Sequence, residues 1–183
     1  MPRELDITFI EDTDTSRGAN PVQVVRIYRG QQAVGDPLDD NSDDDDDYRY
    51  HDVFHLAHMA VLGWSPVMRR LLGVKRNKNR DVDRIQDGGR ALAVEEGLSA
   101  YVFSAARAHS HFQSAFTVST EVIKACRAMT AHLEVSRRSA NDWEYAILAG
   151  YRVFHKLTEH RGGTVRADLH TRTLTFRPPS DRR

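Results

Sequence analysis

The residues with the most chemical potential are His51, Asp52, His55 and His58. At about 100° per residue the three histidines project within roughly 60° of one another on a helix, with Asp52 at the flank of the stripe. An exposed helix face is ordinarily filled by Glu, Lys, Arg and Gln, which form helices better than His or Asp, so this stripe is a poor solvent face. Neutral imidazole is also a metal ligand and a proton carrier. A second clue lies downstream, where Glu95 projects inside the apolar arc of Ala91, Leu98 and Val102, with Glu96 at its edge beside Leu92 and Phe103. Burying a carboxylate alone costs on the order of several kcal/mol, so Glu95 must be protonated, paired or hydrogen-bonded, with His55 and Arg90 as candidate partners. If the two faces meet, Asp52, His55, His58, Glu95 and Glu96 are the candidate ligands of a divalent metal, Mg²⁺ or Mn²⁺ first and Fe²⁺ as an alternative. Such an ion polarises a phosphoryl oxygen and activates water, with His51, Asp52, His55 and Glu96 as the candidate catalytic set.

The elements that must hold these residues follow from periodicity. Apolar positions Val53, Phe54, Leu56, Ala57, Ala60 and Val61 predict a helix from about Tyr50 to Leu62, closed by Gly63. Ser65-Pro66 reads as an N-cap with proline at the first helical position, and Gly73 ends that short helix. Further helices are expected over about 89–108, 119–135 and 139–160, the last through Trp143, Ile147, Tyr151, Phe154 and Leu157. Residues 5–10 and 22–29 read as strands, and 164–169 with 172–176 as a hairpin after Gly162-Gly163. The expected architecture is mainly α: about four long helices around one core, with a small terminal antiparallel sheet. One domain over 1–183 is expected, with an acidic loop at about 36–47, a basic loop at about 74–84, a helical core at about 49–160 and a C-terminal hairpin at about 163–177.

Composition bounds the function. A single cysteine, Cys126, excludes an intrachain disulfide or a thiolate cluster, which leaves His and carboxylates as metal ligands. Lys plus Arg and Asp plus Glu both number 26, so there is no global attraction to nucleic acid or an anionic membrane, and nucleic acid is not the favoured partner. No apolar run nears the roughly 18–20 residues of a membrane span, and residues 1–20 do not read as a secretory leader, so a cytoplasmic protein is expected. Seven Asp in the nine positions from Asp39 to Asp47 read as a solvated loop. Tyr48, Arg49 and Tyr50, with Lys75, Arg76 and Arg90, are the candidate binders of a nucleotide or another phosphate-bearing small molecule.

The stretches YRYHDVFHLAHMAVLGWSPVMRRLLGVKR (48–76), VEEGLSAYVF (94–103), HLEV (132–135), WEYAILAGYRVF (143–154) and GGTVRADLHTRTLTF (162–176) resemble the helical domain found C-terminal to MazG-type nucleoside triphosphate pyrophosphohydrolase domains. The resemblance implies a setting in nucleotide metabolism, in house-cleaning or phage conflict, and a protein partner of the MazG type. MazG catalytic domains carry a Glu-Glu-x-x-Glu helix and a later Glu-x-x-Asp. Here Glu95-Glu96 is followed by Ser99, and Glu121 and Glu134 by Lys124 and Arg137, so that magnesium site is absent in its usual form. The leading expectation is a metal-dependent hydrolase of a nucleotide phosphate bond. The alternatives are a non-catalytic nucleotide-binding or regulatory companion, and a metal-free HEPN-like ribonuclease built on the Arg49…His55 spacing.

Overall fold

A computed structural model describes residues 3–16, 22–40, 46–74, 80–114 and 117–180. The first strand, β1 (Glu4–Asp14), buries Leu5, Ile7 and Phe9, as period-2 alternation requires. It is flanked by β2 (Val22–Arg29) on one side and, after most of the chain has intervened, by β4 (Gly162–Asp168) on the other. The short β3 (Gln32–Ala33) and β5 (Thr173–Arg177) form the edges of a five-stranded antiparallel sheet of order β3-β2-β1-β4-β5. This corrects the mainly-α expectation. The N-terminal strands and the C-terminal hairpin are one sheet, joined where Glu4 pairs with Asp168 and Ile10 with Gly162.

The start of β4 requires glycine. Gly163 has φ +145°, and a Cβ there would lie 2.4 Å from Phe176 Cε2 and 2.8 Å from the Arg177 carbonyl oxygen. Gly163→Ala is expected to lower stability by about 2–3 kcal/mol from combined backbone strain and overpacking, read as a fall in the urea midpoint.

The helices pack on this sheet. After a 3₁₀ turn at Tyr48–Tyr50 come α1 (Asp52–Ala57), α2 (Pro66–Leu71), α3 (Arg80–Gln86), α4 (Gly89–Arg107), α5 (Thr120–Met129) and α6 (Ala140–His160). The α6 helix starts with a capping box between Ser139 and Asp142. It lies against α1 and against β4 and β5. Its Gly150 allows close approach, since a Cβ there would sit 3.0 Å from Phe54 Cδ1 and 3.3 Å from Ala57 Cβ. That contact fixes the face of α1 that carries Phe54 and Ala57 against α6. Two boundaries differ from expectation. The helix expected to reach Val135 stops at Met129, where the Thr130 hydroxyl donates to the Cys126 carbonyl, and Val135 is buried from a separate 3₁₀ turn, Glu134–Arg137. The expected basic loop is already helical from Arg80, while Lys75, Arg76 and Lys78 lie outside the described residues.

Candidate metal centre

The chain continues from α1 into a π-helical stretch, His58–Leu62, which ends at Gly63 in a left-handed conformation (φ +69°). Such π turns widen the helix and recur at functional sites. α1 and this turn are almost wholly buried, histidines included. The stripe therefore faces the interior, opposite α4, whose Glu95 is 0% exposed.

Glu95 is the hub. Its Oε1 lies 3.1 Å from His55 Nδ1 and 3.2 Å from His58 Nδ1, and its Oε2 accepts the Val67 backbone N–H at 2.9 Å. The Ser65 side chain accepts the next one, from Met68, so the two together satisfy donors that the first turn of α2 leaves open. Burial alone would raise the Glu95 carboxyl, but the charge and hydrogen bonds of His55, with those of His58, hold it down at about 2. Conversely, burial alone would lower His55, and Glu95, seconded by Glu96, raises it to about 10. An ionised carboxylate only accepts, so His55 and His58 both present N–H at Nδ1.

The outer edge of the cluster is built on the other ring nitrogens. His55 Nε2 lies 3.2 Å from Glu96 Oε2, whose side chain is 50% exposed. His51 stacks on Tyr48 (ring centroids 4.5 Å, interplanar angle 7°) and places Nδ1 2.9 Å from the Tyr48 carbonyl oxygen. A carbonyl can only accept, so the proton is on Nδ1 and Nε2 is left facing Asp52 Oδ1, 3.6 Å away. Burial pushes the Asp52 carboxyl up. His51 and His55 oppose that shift, while Glu96 and Glu95 add to it. His51, Asp52 and His55 each offer a ligand atom within 4.8 Å of the others, and so do His55, His58 and Glu95. The His55 hydrogen bond lowers the Glu96 carboxyl and outweighs burial, which would raise it.

The other candidates fall elsewhere. Arg49 is buried and its guanidinium is held by Asp40, Asp47 and Glu11. Three carboxylates thus occupy the arginine that both nucleotide binding and a HEPN-like site would need. Asp46 pairs with Arg107, so the described flanks of the acidic run are tied down, while 41–45 lie outside the described residues. Tyr50 is a core residue, Tyr48 is half-buried beneath His51 and against Phe103, and Arg90 is exposed on the first turn of α4. Sequence reasoning missed two participants. Ser99, one turn beyond Glu95, brings its hydroxyl 3.5 Å from His55 Nδ1, and Val67 contributes through its backbone. The first could have been found from the i, i+4 spacing on α4.

An antiparallel sheet covered by helices, with a histidine–carboxylate cluster between two of them, defines an α+β unit with a candidate metal-binding centre. The family model for the MazG C-terminal domain matches residues 1–180, and the chain belongs to that family, which gives it a nucleotide-related setting. No curated protein and no solved structure matches it. Among the described residues, no helix is long and apolar enough to cross a membrane.

Proposed function

We propose that the outer cluster is a divalent-metal site for hydrolysis of a nucleotide phosphate bond, with Asp52, His55 Nε2 and Glu96 as ligands and His51 as general base. The observation that carries this reading is the shared orientation of two imidazoles. Each is tied back through Nδ1, to Tyr48 or to Glu95, and each turns Nε2 toward a carboxylate. Ligands about 2.0–2.1 Å from one ion stand about 2.8–3.4 Å apart for right-angled to tetrahedral geometry. The His55 Nε2–Glu96 Oε2 separation of 3.2 Å lies in that range, and ligand atoms of Asp52, His55 and the proposed base His51 lie within 4.8 Å of one another. A mixed imidazole and carboxylate set suits Mn²⁺ or Fe²⁺ better than Mg²⁺.

When bound, the metal supplies Lewis-acid polarisation of a phosphoryl oxygen and an acidified water. His51 Nε2 accepts the proton of the attacking water, and the resulting imidazolium keeps both N–H groups satisfied, by the Tyr48 carbonyl and by Asp52. His55 carries a proton at Nε2 in the free protein and must release it to bind metal, so affinity rises with pH. Family membership supports the nucleotide substrate, and the occupied Arg49 guanidinium argues against the ribonuclease alternative.

The test is a panel of nucleoside mono-, di- and triphosphates with chelator-treated protein, with and without Mn²⁺. Expected are Mn²⁺-dependent release of phosphate or pyrophosphate and a loss of about 10²–10⁴-fold in turnover for His51→Ala. Cleavage of RNA that persists in EDTA, or no nucleotide turnover with Mn²⁺ bound, would overturn the proposal.

A further inference from the structure

Behind the outer cluster, Glu95 is as fully buried as His55, and both of its oxygens are already engaged. Oε2 takes the Val67 N–H, and Oε1 takes the Nδ1–H groups of His55 and His58. From this geometry we infer that Glu95 is a positioning residue: it fixes the His55 ring with Nδ1–H inward and Nε2 outward, and ties that ring to the first turn of α2. The inference rests on the metal reading of the outer cluster.

Metal-bound histidines commonly donate their second ring N–H to a carboxylate, which sets both tautomer and ring orientation, and losing that partner typically weakens metal binding by about 10–100-fold. Glu95 stands to His55 in that relation, at 3.1 Å from Nδ1, while Glu96 lies at 3.2 Å from Nε2 on the opposite edge of the ring. The neighbouring glutamates therefore divide the work. One faces inward and holds the ring, and the other has a half-exposed side chain. The Ser99 hydroxyl, 3.5 Å from Nδ1, stands on the same inner side. His58, buried against Trp64 and Trp143, holds the same oxygen from the π turn and keeps the carboxylate from swinging toward Nε2.

Glu95→Gln separates this role from that of a ligand. Its amide can accept from Val67 N–H only by turning NH₂ toward the two Nδ1 atoms, which moves the neutral His55 proton to Nε2 and blocks coordination there. The expected result is a folded protein with Mn²⁺ affinity reduced by about 10–100-fold, and a visible spectrum at saturating Co²⁺ that matches the wild type. A changed Co²⁺ spectrum would make Glu95 a ligand and overturn the inference, as would unchanged affinity in Glu95→Gln. Ring ¹⁵N shifts of His55 in metal-free wild-type protein provide a readout that needs neither the variant nor the ion. They are expected to show a proton on Nδ1, and an unprotonated Nδ1 contradicts the inference. If wild-type protein binds no metal while Nδ1 is protonated, the metal reading of the cluster fails and the orienting role of Glu95 toward His55 stands.

Discussion

Glu95→Ala is expected to lower stability by about 3–5 kcal/mol, the usual consequence of removing one partner from a buried charge pair. The substitution strands the buried His55 imidazolium and the Val67 N–H together, and it leaves a cavity between α1 and α4. The loss depends on pH in a defined way. Glu95 has its folded-state pKa lowered from 4.5 to about 2, so its contribution is complete above 4.5 and disappears as pH falls toward 2. His55 has its pKa raised from 6.5 to about 10, so its contribution is complete below 6.5 and is lost as pH rises toward 10. The difference between wild type and Glu95→Ala should therefore peak between about pH 4.5 and 6.5. Urea unfolding of metal-free protein across the pH range measures it, and a flat difference would mean that Glu95 and His55 are not an ion pair.

Asp52→Asn is expected to act in opposite directions on metal binding and stability. The carboxylate is buried and its pKa lies above the ordinary 3.8, so the fold disfavours its ionised form. Folding stability is therefore lost as pH rises from about 3.8 through the folded-state value, and a neutral amide escapes that loss. In chelator, Asp52→Asn should be the more stable protein at neutral pH, by about 1 kcal/mol, with the gain vanishing in acid. Its Mn²⁺ affinity should fall by at least about 100-fold, as expected when a ligand rather than an outer-shell partner is lost. A carboxylate kept at a cost to stability marks a site selected for chemistry. Destabilisation of the metal-free protein at neutral pH would instead make Asp52 a structural residue.

Much of the cluster was legible in the sequence because helical periodicity is local. The spacing of His51, His55 and His58 put three rings on one face, and the place of Glu95 among Ala91, Leu98 and Val102 forced a carboxylate inward. These two facts make His55 a candidate partner of Glu95 beside Arg90, and it is His55 that lies 3.1 Å from the carboxylate. Periodicity says nothing about which ring nitrogen faces which oxygen. That depends on the Tyr48 carbonyl, the Val67 N–H and the π turn at His58, none of which leaves a side-chain signature.

The sheet was read only in pieces. Alternation marks strands in residues 5–10, 22–29, 164–169 and 172–176, but period 2 does not encode partners. The pairing of β1 with β4 joins positions more than 150 residues apart, as Thr8 with Thr164 does through their hydroxyls. The described flanks of the acidic run do more than solvate a loop, while 41–45 lie outside the described residues. Like charges in sequence suggested solvation, whereas Asp40 and Asp47 have a buried arginine to hold, and Glu11 from β1 shares it. Arg49 consequently belongs to the packing that anchors the entrance to α1, and its charge is spent there.

Titration of chelator-treated protein with Mn²⁺, followed by electron paramagnetic resonance, decides whether Asp52, His55 and Glu96 bind a divalent ion. One tightly held ion per chain is expected, with magnetic coupling to imidazole nitrogen that disappears in His55→Ala, and binding that strengthens with rising pH. A wild-type protein that holds no Mn²⁺, or one whose bound ion is indifferent to Asp52→Asn, His55→Ala and Glu96→Gln alike, would contradict it.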